Sequence, residues 1–121
     1  MGQPKILLVE DNAMLQPPIE EALAARGFEC LCAATLDRAS EIVKSEKLSA
    51  AILDVNIRGT AVFSLAREIR AQGAQCIFTT GYTDAVIPPE FAAAPYFKKP
   101  VDVAKVVDAV AACNELAETR K

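Results

Sequence analysis

The 121-residue sequence contains no histidine, and this absence excludes several kinds of chemistry. A Ser-His-Asp triad, a Cys-His pair, a zinc site with histidine ligands and a phosphohistidine on the chain itself all require an imidazole. Any catalysis must therefore use carboxylates, lysine, cysteine or hydroxyl groups. Glycine and proline are also scarce, with 5 and 7 residues, while 52% of the residues are hydrophobic, so we expect a folded chain rather than a disordered one.

Long apolar runs, basic runs and common cysteine motifs are missing as well. The first apolar run ends at Glu10 after only four residues, too few for a signal-peptide core or a membrane span. The net charge is −3 and Lys and Arg do not cluster, so we expect neither a nucleic-acid surface nor a membrane surface. The four cysteines form neither a Cys-x-x-Cys pair nor a spaced metal set, which predicts buried, reduced thiols and a cytoplasmic location.

Short apolar runs alternate with stretches of helical periodicity, a pattern typical of strand-helix-strand units around a parallel sheet. Strands are predicted at residues 5–9, 28–33, 50–53, 75–79 and 96–97, and helices up to residue 26, at 36–47, at 59–72 and after Pro100. The helix between the fourth and fifth strands is predicted to be short or irregular because Pro88 and Pro89 interrupt it. We expect one α/β domain over residues 1–121, with a doubly wound five-stranded parallel sheet and helices on both faces.

Polar side chains lie at the ends of four predicted strands: Glu10 and Asp11, Asp54, Thr79 and Thr80, and Lys98 and Lys99. In an open parallel sheet, ligands bind beyond the carboxyl ends of the strands, so these groups are expected to converge. Crowded carboxylates repel one another unless a cation lies among them, and Mg²⁺ prefers oxygen ligands. A carboxylate beside Mg²⁺ and a lysine can attack a phosphoryl group in line, which predicts an aspartyl phosphate.

Four motifs carry a resemblance to response-regulator receiver domains: Val9-Glu10-Asp11, Ile52-Leu53-Asp54-Val55-Asn56, Phe78-Thr79-Thr80-Gly81 and Tyr96-Phe97-Lys98-Lys99-Pro100. A single motif of this kind is a weak signal. Four in this order, each at a predicted strand end, make a specific match over essentially the whole chain. The resemblance implies the flavodoxin-like strand order 2-1-3-4-5.

The resemblance also implies a role for the acidic residues. Asp54 matches the phosphoacceptor, and Glu10 and Asp11 match the acidic pair that binds Mg²⁺. The metal ligands would be completed by Asp54 and by the backbone carbonyl of Asn56. Taken alone, Glu10 and Asp11 are better explained as strand-end carboxylates in water or as charges that favour a helix N-terminus, and only the full set of motifs supports the site.

Three further residues have counterparts in the family pattern. Thr80, directly before Gly81, matches the hydroxyl residue that contacts the phosphoryl group, and Lys99 matches the ammonium residue, so Lys98 is expected to be a surface charge. The Lys99-Pro100 peptide resembles one that is cis in the family. Tyr96 matches the aromatic switch residue, but an ordinary half-buried aromatic side chain explains it equally well.

The sequence departs from the family pattern in three places. Receivers often carry Pro four residues after the acceptor and Gly eight residues after it, whereas this chain has Arg58 and Val62, so a different loop shape is expected. Asn56 and Tyr82 occupy positions with which the family tunes the phosphoryl lifetime. The diproline falls on the fourth helix, part of the surface with which receivers usually signal.

The resemblance implies a stand-alone receiver that is a signalling protein rather than an enzyme. It would take a phosphoryl group from a sensor histidine kinase or phosphotransfer protein onto Asp54 and then change its contacts with a downstream protein. Two alternatives stay open. One is a pseudo-receiver interaction module that never uses Asp54, and the complete set of site residues disfavours it. The other is a small Mg²⁺-dependent phosphohydrolase, which usually has an Asp-x-Asp nucleophile after its first strand and a cap, and this sequence has neither.

Overall fold

The computed structural model describes residues 2–81 and 86–119, with the side chains of the last helix described as far as residue 115. The strands are β1 (Lys5–Val9), β2 (Glu29–Ala33), β3 (Ala50–Asp54), β4 (Asn56–Ile57), β5 (Thr60–Ala61), β6 (Gln75–Thr80) and β7 (Tyr96–Lys98). The α-helices are α1 (Gln16–Ala25), α2 (Leu36–Ser45), α3 (Phe63–Ala71) and α4 (Val103–Thr119). Two 3₁₀ turns, at Ala13–Leu15 and Pro89–Phe91, complete the described elements.

The main sheet has five parallel strands in the order β2-β1-β3-β6-β7, and β4 and β5 form a separate antiparallel hairpin. Counting only the strands of the main sheet, this order is 2-1-3-4-5, so the predicted flavodoxin-like fold class is confirmed. The register pairs Val9 with Leu53, and Asp54 with Thr79. The carboxyl ends of β1, β3 and β6 therefore lie side by side at one edge of the sheet.

Hydrophobic cores lie on both faces of the sheet. Alternate residues of β3 serve the two cores: Ala51 and Leu53 pack with α2 and α3, while Ala50 and Ile52 pack with α1 and α4. All five residues of β3 are buried, which is why this strand appears in the sequence as an uninterrupted apolar run. Burial on both faces fixes the register of the central strands and with it the position of Asp54 at the edge.

The diproline near the start of the first helix is accommodated because the helix begins at Gln16. Pro17 and Pro18 then lie in its first turn, where backbone N–H groups have no partner within the helix. A separate 3₁₀ turn precedes the helix, and the Asn12 side chain accepts a 3.0 Å hydrogen bond from the Met14 N–H at its start. The late start of α1 therefore accommodates both prolines.

The helix predicted at residues 59–72 was placed too early, because α3 begins at Phe63. The preceding residues form the β4–β5 hairpin, whose two turn residues, Arg58 and Gly59, have φ angles of 52° and 87°. Two positive φ angles define a type I′ turn, which matches the twist of a two-residue hairpin. The Gly59 N–H also donates a 2.9 Å hydrogen bond to the Asn56 side-chain oxygen. The expected difference in loop shape after Asp54 is this hairpin.

The prediction of a short or irregular fourth helix is confirmed for the described residues 86–95, which contain only the 3₁₀ turn Pro89–Phe91. Phe91 is 1% exposed, and its ring packs against Phe78 and Phe63 at centroid distances of 5.3 and 5.9 Å. Pro88 and Pro89 prevent a helix from continuing through this point because neither has an N–H to donate, and the 3₁₀ turn accordingly begins at Pro89. One buried aromatic side chain thus attaches the segment to α3 and β6.

Candidate functional site

Three carboxylates converge at the carboxyl edge of the sheet, as the strand ends predicted. Glu10 follows β1 and Asp54 ends β3, and these residues are only 3% and 7% exposed. Asp11 is half-buried beside them. One oxygen from each of the three carboxylates lies within 4.8 Å of the other two. Parallel strands in register bring these residues together although they are distant in the chain.

Lys99 lies between two of these carboxylates. Its Nζ is 2.6 Å from Glu10 Oε1 and 2.8 Å from Asp54 Oδ2. The Lys99 N–H donates to the Thr80 carbonyl at 2.6 Å, and the Lys99-Pro100 peptide is cis, as the resemblance implied. The ion pairs to Glu10 and Asp54 therefore make this ammonium group a part of the acidic cluster. Lys98, by contrast, is exposed, as predicted.

Burial and ion pairing oppose each other in the electrostatics of the cluster. Burial lowers the pKa of Lys99, but hydrogen bonds to Asp54 and Glu10 outweigh that effect, so the pKa lies above its usual range. For Glu10 the effect of burial is larger, so its pKa is raised although hydrogen bonds from Lys99 and from the Asn12 N–H counteract the shift. One ammonium thus compensates the negative charge of the buried carboxylates only in part. The cluster retains an attraction for a further cation.

Backbone N–H groups fix the orientation of each carboxylate. The Asn12 N–H donates to Glu10 Oε2 at 3.0 Å, the Asn56 N–H donates to Asp54 Oδ1 at 3.2 Å, and the Arg58 N–H donates to Asp11 Oδ2 at 3.1 Å. The last bond comes from the type I′ turn. No sequence motif had indicated a role for the Arg58 backbone, and the only available signal was the Arg-Gly pair as a turn former.

The hairpin also determines which way the backbone of Asn56 faces. Asn56 is opposite Ala61, between the two-residue turn and the hydrogen-bonded pair formed by Val55 and Val62. In an antiparallel ladder such a residue directs both its N–H and its carbonyl away from the partner strand. The N–H of Asn56 reaches Asp54, and Asn56 lines the cavity beside the acidic cluster.

The oxygen atoms of this acidic cluster are suitable ligands for a magnesium ion. Mg²⁺ binds oxygen ligands at about 2.0–2.1 Å, so any two of its ligands lie no more than about 4.2 Å apart. The three carboxylate oxygens lie within 4.8 Å of one another, so small side-chain movements would allow them to share one ion. The cluster borders a cavity of about 320 Å³ lined by Asp11, Asp54, Asn56, Arg58, Gly59, Gly81 and Lys99. A phosphoryl group and metal-bound waters fit this volume. The structure therefore brings together three candidate carboxylate ligands, and Asn56 borders the same cavity.

The remaining predicted site residues lie at different distances from the cluster. Thr80 is fully buried at the end of β6, in register with Lys98 of β7. Tyr96 is 40% exposed at the start of β7, where its side chain borders a second cavity rather than the acidic cluster. Tyr82 lies outside the described residues. No helix in the described part of the chain is both long and apolar enough to cross a membrane.

Comparison with known families identifies the family to which the chain belongs. The family model for the response regulator receiver domain matches residues 6–111. The chain belongs to the response regulator receiver domain family. Receiver domains are signalling domains of two-component systems. Receiver domains generally bind Mg²⁺ at an acidic cluster of the kind found here.

Curated relatives of this receiver domain are longer proteins. It is 29% identical over 104 residues to the aerobic respiration control protein ArcA of Escherichia coli, a match that covers 83% of the chain and 44% of the relative. It is 31% identical over 107 residues to the transcriptional regulatory protein CrdR of Helicobacter pylori, covering 84% of the chain and 50% of the relative. The chain thus spans about half the length of these two relatives.

Solved structures show the same fold. A response regulator receiver domain protein from Methanospirillum hungatei superimposes with a TM-score of 0.86 at 21% identity, covering 99% of this chain and 100% of that one. The signal receiver domain of a putative Luxo repressor protein from Vibrio parahaemolyticus gives a TM-score of 0.84 at 20% identity, covering 98% and 95%. Both superpositions cover nearly the whole length of the two chains compared, which agrees with the strand order found in the main sheet.

Proposed function

We propose that this receiver domain is a phosphorylation switch in which Asp54 accepts a phosphoryl group from the phosphohistidine of a kinase or phosphotransfer protein. The observation that carries the proposal is the setting of the Asp54 carboxylate. One oxygen accepts from Lys99 Nζ, and the other accepts from the Asn56 N–H. The carboxylates of Glu10 and Asp11 lie close enough to Asp54 for the three to be candidate ligands of one metal ion. A nucleophile held in this way has a fixed direction of attack.

In the proposed reaction, a carboxylate oxygen of Asp54 attacks the phosphorus atom in line with the leaving imidazole nitrogen. The phosphorus–nitrogen bond breaks as the phosphorus–oxygen bond forms, and the imidazole nitrogen keeps the electron pair. The Lys99 ammonium neutralises charge on the transferred oxygens. When bound by Glu10, Asp11, Asp54 and the Asn56 carbonyl, Mg²⁺ supplies further charge neutralisation for the same oxygens.

The phosphodonor must approach the carboxyl edge, because Asp54 is only 7% exposed and lines the cavity at that edge. The 3₁₀ turn before α1 lies beside this edge and exposes two large apolar side chains, Met14 at 83% and Leu15 at 37%. Leu15 lines one apolar cavity together with Glu10 and Lys99. We assign the contact surface for the donor to this turn.

Phosphorylation would be transmitted through Thr80 and Tyr96 to a downstream protein. Thr80 would move toward the new phosphoryl oxygens, and Tyr96 would turn into the cavity that it borders, which has a volume of about 370 Å³. Phe78 and Phe91 line the same cavity, so an inward-turned ring would find apolar partners. The single-domain arrangement over residues 1–121 stays a prediction.

Intact-mass analysis after incubation with acetyl phosphate tests the proposal. With Mg²⁺ we expect one added phosphoryl group on wild type, no adduct on Asp54→Asn, and an unchanged adduct on Asp37→Asn, which alters an exposed carboxylate of α2. Omission of Mg²⁺ should suppress labelling. An unlabelled wild type, beside a known receiver that is labelled, would overturn the phosphoacceptor assignment and favour a phosphorylation-independent interaction module.

A further inference from the structure

Arg58 occupies a backbone position that arginine seldom adopts. It is the first of the two turn residues of the β4–β5 hairpin, and its φ angle is 52°. Such an angle is uncommon for residues other than glycine, and type I′ turns prefer Asn-Gly, Asp-Gly or Gly-Gly pairs at these two places. The turn by itself would therefore favour asparagine or glycine over arginine. Strained backbone of this kind clusters at functional sites, so the Arg58 side chain is a candidate for a functional role.

The turn places Arg58 beside the candidate phosphoacceptor. Arg58 lines the cavity of about 320 Å³ that Asp11, Asp54 and Lys99 also line. Its N–H donates to Asp11 Oδ2 at 3.1 Å, and an oxygen of Asp11 lies within 4.8 Å of an oxygen of Asp54. The backbone of Arg58 is thus separated from Asp54 by a single carboxylate. The long, flexible side chain of an arginine can cross that distance from the rim of the cavity.

The guanidinium group of Arg58 is available to bind a ligand. Within residues 2–81 and 86–119 it has neither an ion pair nor a hydrogen bond. The other four arginines of these residues each contact a carboxylate, a backbone carbonyl or an aromatic ring: Arg26, Arg38, Arg67 and Arg70. A guanidinium is planar and can donate two parallel hydrogen bonds to phosphate oxygens, which makes it well suited to a phosphoryl group.

We propose that the Arg58 guanidinium binds an oxygen of the phosphoryl group during its transfer to Asp54, as a second cation beside Lys99. This inference rests on the proposed function of Asp54. With acetyl phosphate as donor, the phosphorus–oxygen bond to acetate breaks, acetate keeps the electron pair, and Asp54 forms the new phosphorus–oxygen bond. Arg58 neither gains nor loses a proton, and it neutralises charge on the transferred oxygens. A proline, which receivers often carry at this position, supplies neither that charge nor an N–H for Asp11.

The initial rate of labelling by acetyl phosphate, followed by intact mass at saturating Mg²⁺, tests this role. Arg58→Asn removes the guanidinium but supplies the Asn-Gly pair that a type I′ turn prefers, so the hairpin is kept. We expect labelling to slow at least about tenfold, less than for an arginine enclosed in a catalytic site because Arg58 is exposed. Arg58→Lys keeps the charge without the planar fork and should give an intermediate rate. Arg38→Gln removes an exposed charge of α2 and should label like wild type.

A second donor separates contact with the phosphoryl group from a general attraction of anions. Phosphoramidate transfers the same group but carries less negative charge than acetyl phosphate. Contact predicts the same fold loss in Arg58→Asn with both donors, whereas a loss with acetyl phosphate alone would replace the proposal by electrostatic attraction of the donor.

Urea unfolding shows whether the hairpin is intact in Arg58→Asn, and its midpoint should be no lower than that of wild type. Slow labelling together with a lower midpoint would assign the effect to the hairpin and overturn the proposal. A rate equal to that of Arg38→Gln would overturn it too, while leaving the role of Asp54 intact. An unlabelled wild type, by contrast, would refute the proposed function itself.

Discussion

Replacement of Phe91 by alanine should destabilise the protein severely although this residue belongs to a turn of only three residues. Its ring is 1% exposed, contacts Phe78 and Phe63, and has the Arg70 guanidinium carbon 4.2 Å from its centroid. Arg70 also donates to the Glu90 carbonyl. The segment between β6 and β7 therefore depends on this side chain for its position.

The magnitude follows from burial and ring packing. A Phe→Ala change in a core costs about 3–5 kcal/mol. Aromatic pairs contribute about 0.5–1.5 kcal/mol beyond their buried area, but a surface turn can partly collapse into the space that is left, which lowers the cost. We therefore expect the free energy of unfolding to fall by about 3–4 kcal/mol, and the urea midpoint to fall by about 2 M.

Equilibrium urea unfolding, followed by circular dichroism, measures this loss. Phe91→Leu keeps most of the apolar volume and should cost about 1.5 kcal/mol or less. Met14→Ala removes an 83% exposed side chain and should change stability by no more than about 0.5 kcal/mol. A loss below about 1 kcal/mol in Phe91→Ala would refute the reasoning, because the turn would then not depend on its buried ring.

Three smaller effects are expected elsewhere. The Thr35 side chain accepts a hydrogen bond from the Arg38 N–H at the start of α2. Thr35→Ala removes this bond and should lower the free energy of unfolding in urea by about 1 kcal/mol. A loss no larger than that of Ser40→Ala would contradict this prediction. Gly59→Ala places a side chain at a φ of 87° and should lower the free energy of unfolding by about 1 kcal/mol. An unchanged free energy of unfolding would contradict this prediction and would mean that the turn relaxes. Burial raises the pKa of Cys76 to about 12, so at pH 8 its thiol should react with iodoacetamide far more slowly than the thiol of free cysteine, and equal rates would contradict this.

Local patterns in the sequence were sufficient to predict the architecture. The strands around Val9 and Asp54 are short apolar runs buried on both faces, and this pattern does not depend on distant contacts. The first and last residues of the elements were predicted less accurately than the elements themselves. The early start assigned to α3 came from overlooking the turn chemistry of Arg58 and Gly59, which form a hairpin before the helix.

The candidate site was also predictable in its composition, because parallel strands bring their carboxyl ends to one edge whatever the intervening helices contain. Glu10, Asp11 and Asp54 could be placed together on that basis, and the structure brings them within ligand distance of one another. The backbone of Asn56 could be proposed only by resemblance. Its position in the β4–β5 hairpin, beside the cavity of the site, depends on a strand pairing that no motif contains.

What the sequence by itself determined is the strand order implied by its motifs and the identity of the groups at the carboxyl edge. Only the tertiary structure decided how those groups share charge: Lys99 reaches Asp54 across 45 residues of chain and contacts Glu10 as well. It also decided that Cys30 and Cys32 face one side of β2 with their sulfur atoms 3.8 Å apart. Periodicity is a local property of the chain, whereas distances between side chains depend on how packed elements meet.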